Sequence, residues 1–303
     1  MLEIMDGDGY HSHYRAEVYD LAHDDIDWMN EDAGLFWTGY KQMRASRALD
    51  KTDGKPDRYR LLDIGCGTGR VFRQLAVNLK KGWVNPEGTH FLGLDLSPHM
   101  LARAQEILPE TLTAHTCYIH GSALELQSLP ALQQHAPGRQ IDMLTFAAGS
   151  ISMLYEPADA AERFLEQVAT VLRPETGRAY ISMRYVFDDS RPKEAEAVSM
   201  RFAEMERSSD IPSQAHPGII YRHVEEGAGQ RREGNLVFWD LPMEVVEKDA
   251  QGHEKILERD VASMGGRVWQ AGELLKASTA AGLALVEEIP TSNETMYVFK
   301  VAS

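Results

Sequence analysis

From residue 58 to residue 189, the hydrophobic positions follow two spacings that alternate along the chain. Short apolar runs predict buried β-strands, and apolar residues that recur every three or four positions predict amphipathic helices. Strands are predicted at 59–64, 91–96, 117–120, 141–147 and 178–186, and helices at 70–79, 100–108 and 157–172. Such alternation is typical of a parallel sheet that is covered by helices on both faces.

The alternation breaks near residue 190. Residues 190–265 are polar and interrupted by proline and glycine, with strand-like pieces at 219–224, 236–239 and 243–248. A helix is then predicted at 269–281, where Gly282 ends it, followed by strands at 283–289 and 296–301. We therefore expect an α/β protein with a doubly wound, mostly parallel seven-stranded sheet and an α/β insertion that forms a lid.

The first 57 residues have a mixed character. An acidic cluster precedes a stretch with helical spacing that contains Trp28, Phe36, Trp37 and Tyr40, and the polar residues 51–57 mark a boundary. The predicted organisation is a helical cap at 1–57, a core at 58–189 and 266–303, and a lid on the substrate side at 190–265.

Composition removes several classes of function. The formal net charge is −15, and no basic stripe is visible that could neutralise the phosphates of a nucleic acid. No apolar run approaches the roughly 18 residues of a membrane span, and the acidic N-terminal segment does not resemble a targeting peptide. Two cysteines cannot build a disulfide framework. We expect a cytoplasmic protein that binds neither nucleic acid nor a membrane.

The strongest local signal for chemistry follows the first core strand. The strand ends at Asp63 and turns into a helix through three alternating glycines, in the sequence LLDIGCGTGR. Glycines are needed where the backbone approaches a ligand closely, and strand ends are where α/β sheets bind ligands. A nicotinamide-binding loop would need glycine or alanine at position 70, which is Arg70 here. The spacing therefore favours a cofactor without a pyrophosphate group.

This segment resembles the first motif of class I S-adenosylmethionine-dependent methyltransferases, and FLGLDLSPHMLARA at 91–104 resembles their second motif. The resemblance covers about residues 59–187 and 266–303. It implies that the glycine loop contacts the methionine end of the cofactor and that Asp95 binds the ribose hydroxyls. The other residues it assigns to these two motifs are Asp63, Gly65, Cys66 and Gly67 in the loop, and Leu96 and Met100 beside the adenine.

Two further segments are similar to later motifs of the family. HGSALEL at 120–126 has Ser122 where the family usually carries an acid for the adenine amino group, and Ala123 offers its backbone to the ring. The segment 141–154 places Ala147 at the cofactor end of its strand. Asp142 at the start of that strand is either a site residue or a loop-ordering acid, since a lone acid at a strand start is common.

Candidates on the substrate side come from the flanking segments. The resemblance assigns Tyr19 to cofactor binding, whereas Tyr14, Arg184 and Tyr185 are candidate substrate-binding residues. His11 and His216 are the candidate catalytic bases, although either histidine can equally be an ordinary surface residue. The histidine spacing matches no standard ligand set, so no metal is expected.

The predicted function is methyl transfer from S-adenosylmethionine, with release of S-adenosylhomocysteine, to an oxygen or nitrogen atom of a small organic molecule. In-line displacement from a sulfonium needs alignment and exclusion of water more than strong acid–base catalysis. The alternative is a catalytically silent or repurposed, cyclase-like protein that keeps the fold and binds the cofactor. We expect a monomer or a homodimer.

Overall fold

The computed structural model describes residues 5–7, 12–23, 30–48, 58–206 and 210–302. They form two β-sheets, a seven-stranded core sheet and a six-stranded second sheet, with nine α-helices in this part of the chain. No helix within these ranges combines the length and the apolar character that crossing a membrane requires. The predicted boundary at 51–57 and the residue Trp28 lie outside the described residues.

The bounds of the elements are as follows. The helices are α1 (His13–His23), α2 (Asp32–Ala48), α3 (Arg70–Lys81), α4 (Pro98–Glu106), α5 (Glu110–Thr113), α6 (Pro130–His135), α7 (Ala160–Val171), α8 (Pro192–Glu206) and α9 (Glu273–Ala280). The strands are β1 (Met5–Gly7), β2 (Tyr59–Ile64), β3 (Thr89–Asp95), β4 (Thr116–His120), β5 (Met143–Phe146), β6 (Arg178–Arg184), β7 (Ile211–Pro212), β8 (Ile219–His223), β9 (Gly229–Glu233), β10 (Leu236–Lys248), β11 (Glu254–Arg267), β12 (Leu283–Pro290) and β13 (Glu294–Val301).

The core sheet has the strand order β12-β13-β6-β5-β2-β3-β4. Strands β6, β5, β2, β3 and β4 are parallel to their neighbours, whereas β13 runs antiparallel to both β6 and β12. Each face packs against helices and carries its own hydrophobic cluster. This architecture confirms the predicted Rossmann-like fold and places the carboxyl ends of five parallel strands at one edge.

Local sequence explains where the core helices begin. Helix α4 begins at Pro98, and proline suits this position because an N–H group in the first turn has no partner within the helix. The preceding Ser97 caps the helix, since its Oγ accepts a hydrogen bond from Met100 N at 3.3 Å. Helix α3 turns Phe72 and the residues spaced around it into the core, namely Val71, Leu75, Ala76 and Leu79. The apolar spacing therefore predicts the buried face of α3 correctly.

The second sheet has the order β1-β11-β10-β8-β7, with β9 also paired to β10. Two strand-like pieces predicted at 236–239 and 243–248 form the single strand β10. Pro242 suggests a break in sequence because proline cannot donate to a sheet ladder. It is tolerated because on that side β9 pairs only up to Asp240 and β8 pairs only from Met243, so Pro242 falls between the two partners.

Four elements of the predicted lid were missed: α8, β7, β9 and β11. Helix α8 carries apolar residues at helical spacing, Val198 and Phe202 among them, but they stand in a stretch rich in charged residues. Strand β11 alternates poorly because its charged residues pair within the protein: Asp260 with Arg15 of α1, and Arg259 with Glu244 of β10. Charge pairing therefore hides β11 from a prediction that relies on hydrophobic spacing.

Close packing joins the second sheet to the core. Gly265 and Gly266 of β11 lie against aromatic rings of the core, and a methyl group at Gly265 would lie 2.6 Å from the Tyr155 hydroxyl. A methyl group at Gly266 would lie even closer to an atom of the core, the Cε1 of the Phe187 ring. Trp269, which is fully buried just after β11, donates a hydrogen bond to Ser152 Oγ at 3.2 Å. The two glycines thus allow the second sheet to approach the core.

We predict that Gly266→Ala destabilises the fold by about 1–3 kcal/mol, because an overpacked contact must be relieved by backbone shifts. Gly229→Ala is the matched control, since an added methyl group there meets no atom within 4 Å. Urea unfolding of both variants measures the difference. A second substitution, Phe187→Leu, should recover part of the loss, and a Gly266→Ala protein as stable as the wild type would contradict this account of the junction.

Candidate active site

The loop between β2 and α3 presents its backbone to the sheet edge. Gly65, Gly67 and Gly69 have φ values of +58°, +52° and +80°, a region that side chains disfavour. A methyl group on Gly67 would meet no atom within 4 Å, so this part of the loop faces open space. At Gly69 it would lie 2.8 Å from the Tyr118 hydroxyl. The loop is tight on its packed side and open where a ligand can approach.

Asp95 ends the neighbouring strand β3 and fixes the shape of this loop. Its Oδ2 accepts a hydrogen bond from Gly67 N at 2.8 Å, and its Oδ1 accepts one from Ser97 N at 2.8 Å. One carboxylate therefore connects the glycine loop with the start of α4. A carboxylate offers about four acceptor positions, so Asp95 can also serve as an acceptor for a ligand.

Asp63, the acid before the glycines, is buried at 1% exposure. Its Oδ1 accepts from Thr145 Oγ1 of β5 at 2.7 Å, whereas its Oδ2 has no hydrogen-bond partner among the described residues. Burial raises the pKa of Asp63 to about 7, although the Thr145 hydrogen bond and the charge of Arg70 act in the opposite direction. A cationic group of a ligand placed beside Oδ2 would complete this site.

Asp20 of α1 connects the N-terminal segment to the same loop. It is buried, and its Oδ1 accepts from Thr68 Oγ1 at 2.5 Å and from Arg73 of α3 at 3.1 Å. Its Oδ2 accepts from Arg103 of α4 at 3.0 Å. A single side chain thus holds α1 against the glycine loop and against the two helices beside it.

Glu17, one turn earlier on α1, binds the second sheet in the same manner. Its carboxylate accepts hydrogen bonds from the Tyr221 hydroxyl at 2.5 Å and the Ser213 hydroxyl at 2.7 Å, and from two backbone amides at 2.8 Å. Burial alone would raise the pKa of Glu17, but these hydrogen bonds outweigh it and lower the pKa. Helix α1 is therefore bonded to both halves of the protein.

His216 lies on the loop that Glu17 fixes. Its ring is 5.4 Å from the rings of both His13 and Tyr14, and Tyr14 also approaches Tyr221 at 6.2 Å. The structure thus brings together two of the predicted substrate-side residues, Tyr14 and His216. The other candidate base, His11, lies outside the described residues.

Arg70 forms a buried ion pair with Asp32 at the start of α2. The guanidinium donates two hydrogen bonds to the carboxylate, at 2.6 and 2.7 Å. Burial acts against its charge, but Asp32 raises the pKa of Arg70. Arg70 occupies the position where a dinucleotide-binding loop would have glycine or alanine. Here its side chain has a structural role beside the site, as the partner of Asp32.

Arg184 and Tyr185 follow one another at the end of β6. The Arg184 stem packs against Gly149, whose N–H donates to Ser182 Oγ at 2.8 Å. The Tyr185 hydroxyl donates to Thr291 O at 2.8 Å. Arg184 therefore borders the loop after β5, where Ala147 lies, whereas the Tyr185 hydroxyl is bonded to the backbone of the loop before β13.

The remaining predicted residues line the edges of β3 and β4. Leu96 is 61% exposed, Met100 is buried, and Tyr19 is half-buried on α1. Ser122 Oγ accepts from Leu124 N at 3.1 Å and so caps a short helical turn that contains Ala123. Cys66 is buried, and burial raises the pKa of its thiol. Among the residues that the structure describes, no group of three metal-ligating side chains lies together.

Asp142 has a structural position at the opposite edge of the sheet. It accepts from Arg60 N at 2.9 Å and from Arg173 Nε at 2.6 Å. These contacts order the turns at the amino ends of β2 and β5, far along both strands from the glycine loop. Of the two interpretations of Asp142, the structure favours the loop-ordering one.

Sequence reasoning missed four buried acids near the site, which are Glu17, Asp20, Asp32 and Glu294. Glu294 stands at the start of the largely apolar strand β13, where a lone acid is common. The partners of the other three acids are distant in sequence. Local sequence therefore gives no signal for any of the four.

Comparison with known proteins identifies the chemistry that this edge supports. The chain is 29% identical over 300 residues to the N-methyltransferase FrzE of Cladobotryum sp.. The matched region covers 97% of each of the two chains. A family model described as a methyltransferase domain matches residues 62–178. Together, these matches support the predicted class I S-adenosylmethionine-dependent methyltransferase, and with it S-adenosylmethionine as the methyl donor.

Solved structures share the fold of this methyltransferase. An S-adenosylmethionine-dependent methyltransferase from Clostridium acetobutylicum matches with a TM-score of 0.54 at 14% identity, covering 95% of this chain and 98% of that one. DesVI from Streptomyces venezuelae matches with a TM-score of 0.52 at 19% identity, covering 89% of this chain and 96% of that one.

The described residues fit this cofactor. The open face of Gly67 leaves room for a ligand, and the Asp63 oxygen without a partner suits an ammonium group, which the methionine end of the cofactor carries. Asp95 lies beside both groups at the end of β3 and retains acceptor capacity for hydroxyls.

We predict that Asp20→Asn in the methyltransferase loosens α1 and destabilises the fold by about 1–3 kcal/mol, because two arginines lose a buried anionic partner. Cofactor affinity should fall as well, since Thr68 of the glycine loop loses its charged acceptor. Thermal melting and calorimetric titration with S-adenosylhomocysteine measure the two effects.

Glu106→Gln is the matched control, because Glu106 bonds the same Arg103 from an exposed position. It should leave both measurements near those of the wild type, as exposed ion pairs contribute about 0–1 kcal/mol. Equal behaviour of the two variants would mean that Asp20 does not anchor α1.

Proposed function

We propose that this methyltransferase transfers a methyl group to the nitrogen atom of a small organic amine. The observation that carries the proposal is the extent of the likeness to an N-methyltransferase, which covers 97% of both chains. The likeness therefore includes α1 and the second sheet, which stand on the side where a substrate would enter. The family match at 62–178 by itself supports only the methyl donor.

The cofactor would lie along the carboxyl edge of the core sheet. Asp95 would accept hydrogen bonds from the ribose hydroxyls while it keeps its bonds to Gly67 N and Ser97 N. Asp63 would hold the ammonium group at its free oxygen. The remaining proposed contacts are Tyr19, Gly65, Cys66 and Ala147 near the methionine end, and Leu96, Met100, Ser122 and Ala123 around the adenine.

When bound, S-adenosylmethionine supplies an electrophilic methyl group on a positively charged sulfur. The chain must place the acceptor nitrogen in line with that bond and exclude water. Residues 190–265 would act as the lid, bonded to α1 through Glu17. A neutral amine already carries the lone pair that attacks, whereas a hydroxyl acceptor must also lose its proton to a base.

On the substrate side, we propose that Tyr14, His216 and Arg184 border the acceptor. Tyr14 and His216 are in ring contact between α1 and the lid, and Arg184 borders the loop after β5. Tyr185 would act mainly by holding the loop before β13. The net charge of −15 favours a small, cationic substrate over a nucleic acid.

The first experiment is calorimetric titration with S-adenosylmethionine and S-adenosylhomocysteine. Saturable binding of both is expected, followed by release of S-adenosylhomocysteine when a panel of amines is added. Alcohols of the same shape serve as matched controls, and mass spectrometry locates the new methyl group. Binding without turnover of any acceptor would favour the silent protein, and turnover of the alcohols alone would contradict a nitrogen acceptor.

We predict that Asp95→Ala lowers affinity for S-adenosylmethionine by about 1–3 kcal/mol, or roughly 5- to 150-fold, because hydrogen bonds to a charged group are lost. Asp142→Asn is the control, a buried carboxylate at the other end of the sheet. This control variant should lower the melting temperature of the protein without lowering its affinity for S-adenosylmethionine. Unchanged affinity of Asp95→Ala in calorimetry would remove Asp95 from the cofactor site.

A further inference from the structure

Glu294 lies at the edge of the core sheet where the cofactor loop is found. It is the first residue of β13 and pairs with Arg184, the last residue of β6. Because β6 is parallel to β5, and β5 to β2, the end of β6 lies at the same edge as the glycine loop. Glu294 is thus placed at the carboxyl edge of the sheet. Strands β6 and β5 lie between it and Asp63 of β2.

The Glu294 carboxyl group is buried but incompletely bonded. The residue is 4% exposed, and its Oε2 has no hydrogen-bond partner among the described residues. Burial raises the pKa of Glu294 to about 7 and the charge of Asp32 adds to the rise, whereas Arg184, Ser182 and Arg70 oppose it. A buried acid with a free oxygen is costly for stability, so a ligand that supplies the missing partner is a natural explanation.

The neighbouring charged groups do not supply that partner. Arg184 lowers the pKa of Glu294 through its charge, but it donates no hydrogen bond to Oε2. Arg70 gives two hydrogen bonds to Asp32, so its charge is already balanced. The Ser182 hydroxyl lies near Glu294 and lowers its pKa, and it accepts a hydrogen bond from Gly149 N. Glu294 is thus close to the loop after β5, which borders the proposed methyl-transfer position.

Two buried carboxyl groups at this edge each keep one oxygen without a hydrogen bond, Asp63 and Glu294. The cofactor carries a single ammonium group, and Asp63 stands directly before the glycine loop that would hold it. The Oε2 atom of Glu294 is then still available to bind a second cation. We infer that Glu294 binds the ammonium group of the amine substrate and accepts its proton before methyl transfer. This inference rests on the proposed nitrogen acceptor.

The step balances in atoms and charge. An N–H bond of the substrate ammonium breaks, the electron pair stays on nitrogen, and the proton moves to Glu294 Oε2. The neutral nitrogen then forms the new C–N bond while the methyl–sulfur bond breaks and sulfur keeps that electron pair. The product leaves as a methylated ammonium ion, and Glu294 afterwards releases its proton to water.

The ionisation of Glu294 gives the reaction a pH dependence. The carboxylate must be deprotonated to bind the cation and take its proton, so kcat/KM should rise as pH increases through about 7. The groups that set this value are Asp32 of α2, Arg70 of α3, and Ser182 and Arg184 of β6. The pH profile is measured at saturating S-adenosylmethionine, because the bound cofactor would already occupy Asp63 and so keep its ionisation out of the profile.

The test compares Glu294→Gln with Glu287→Gln, an exposed acid on the adjacent strand β12. Both variants should bind S-adenosylmethionine as the wild type does in calorimetry. With an arylalkylamine that the wild type methylates, Glu294→Gln should lose about a hundredfold or more in kcat/KM at pH 7, the scale of general-base catalysis. Glu287→Gln should keep full activity, and Glu294→Asp should recover part of the loss.

A measurement on the wild type guards against misfolding of the variants. Arylalkylamines of different pKa are compared at saturating S-adenosylmethionine, and the inflection near pH 7 should stay in place while the substrate's own inflection moves. An inflection that only follows the amine would overturn the role of Glu294, as would unchanged kinetics of Glu294→Gln. If the wild type binds the cofactor but methylates no amine, the proposed function fails, and this inference fails with it.

Discussion

Three hydrogen bonds to the carboxylate of Asp20 hold the site together. They connect α1 to Thr68 in the glycine loop and to one arginine on each of the helices α3 and α4. Glu17, three residues earlier and on a neighbouring part of the same helix, bonds the loop before β8. A short helix with two buried acids therefore fixes the position of the second sheet relative to the cofactor loop. The second sheet and the glycine loop share one support.

The acids at the carboxyl edge of the sheet differ in what surrounds them. Asp95 accepts hydrogen bonds from two backbone amides, and Asp32 is paired with the guanidinium of Arg70. Asp63 and Glu294 are buried with fewer partners, and burial raises the pKa of each to about 7. The first two acids maintain the geometry of the site. The second two keep unused acceptor capacity, which is the property that the proposed cationic ligands need.

Hydrophobic spacing predicts the core sheet well because its inner strands are buried on both faces and its helices on one. The predicted strand at 59–64 coincides with β2, and the helix predicted at 70–79 lies within α3. The same reasoning fails in the second sheet. Helix α8 lies in a stretch rich in charged residues, and β11 is stabilised by ion pairs with α1 and β10. Pro242 suggests a break in β10 that the partner strands avoid.

The sequence by itself determines the glycine loop, the strand-end acids Asp63 and Asp95, and hence the class of cofactor, because these depend on residues that are adjacent in the chain. Only the tertiary structure decides what Glu17, Asp20 and Glu294 do. Asp20 meets Thr68 across 48 residues, and Glu17 meets Ser213 across 196. A carboxylate's ionisation and role depend on its burial and its partners, and folding brings those together from distant positions.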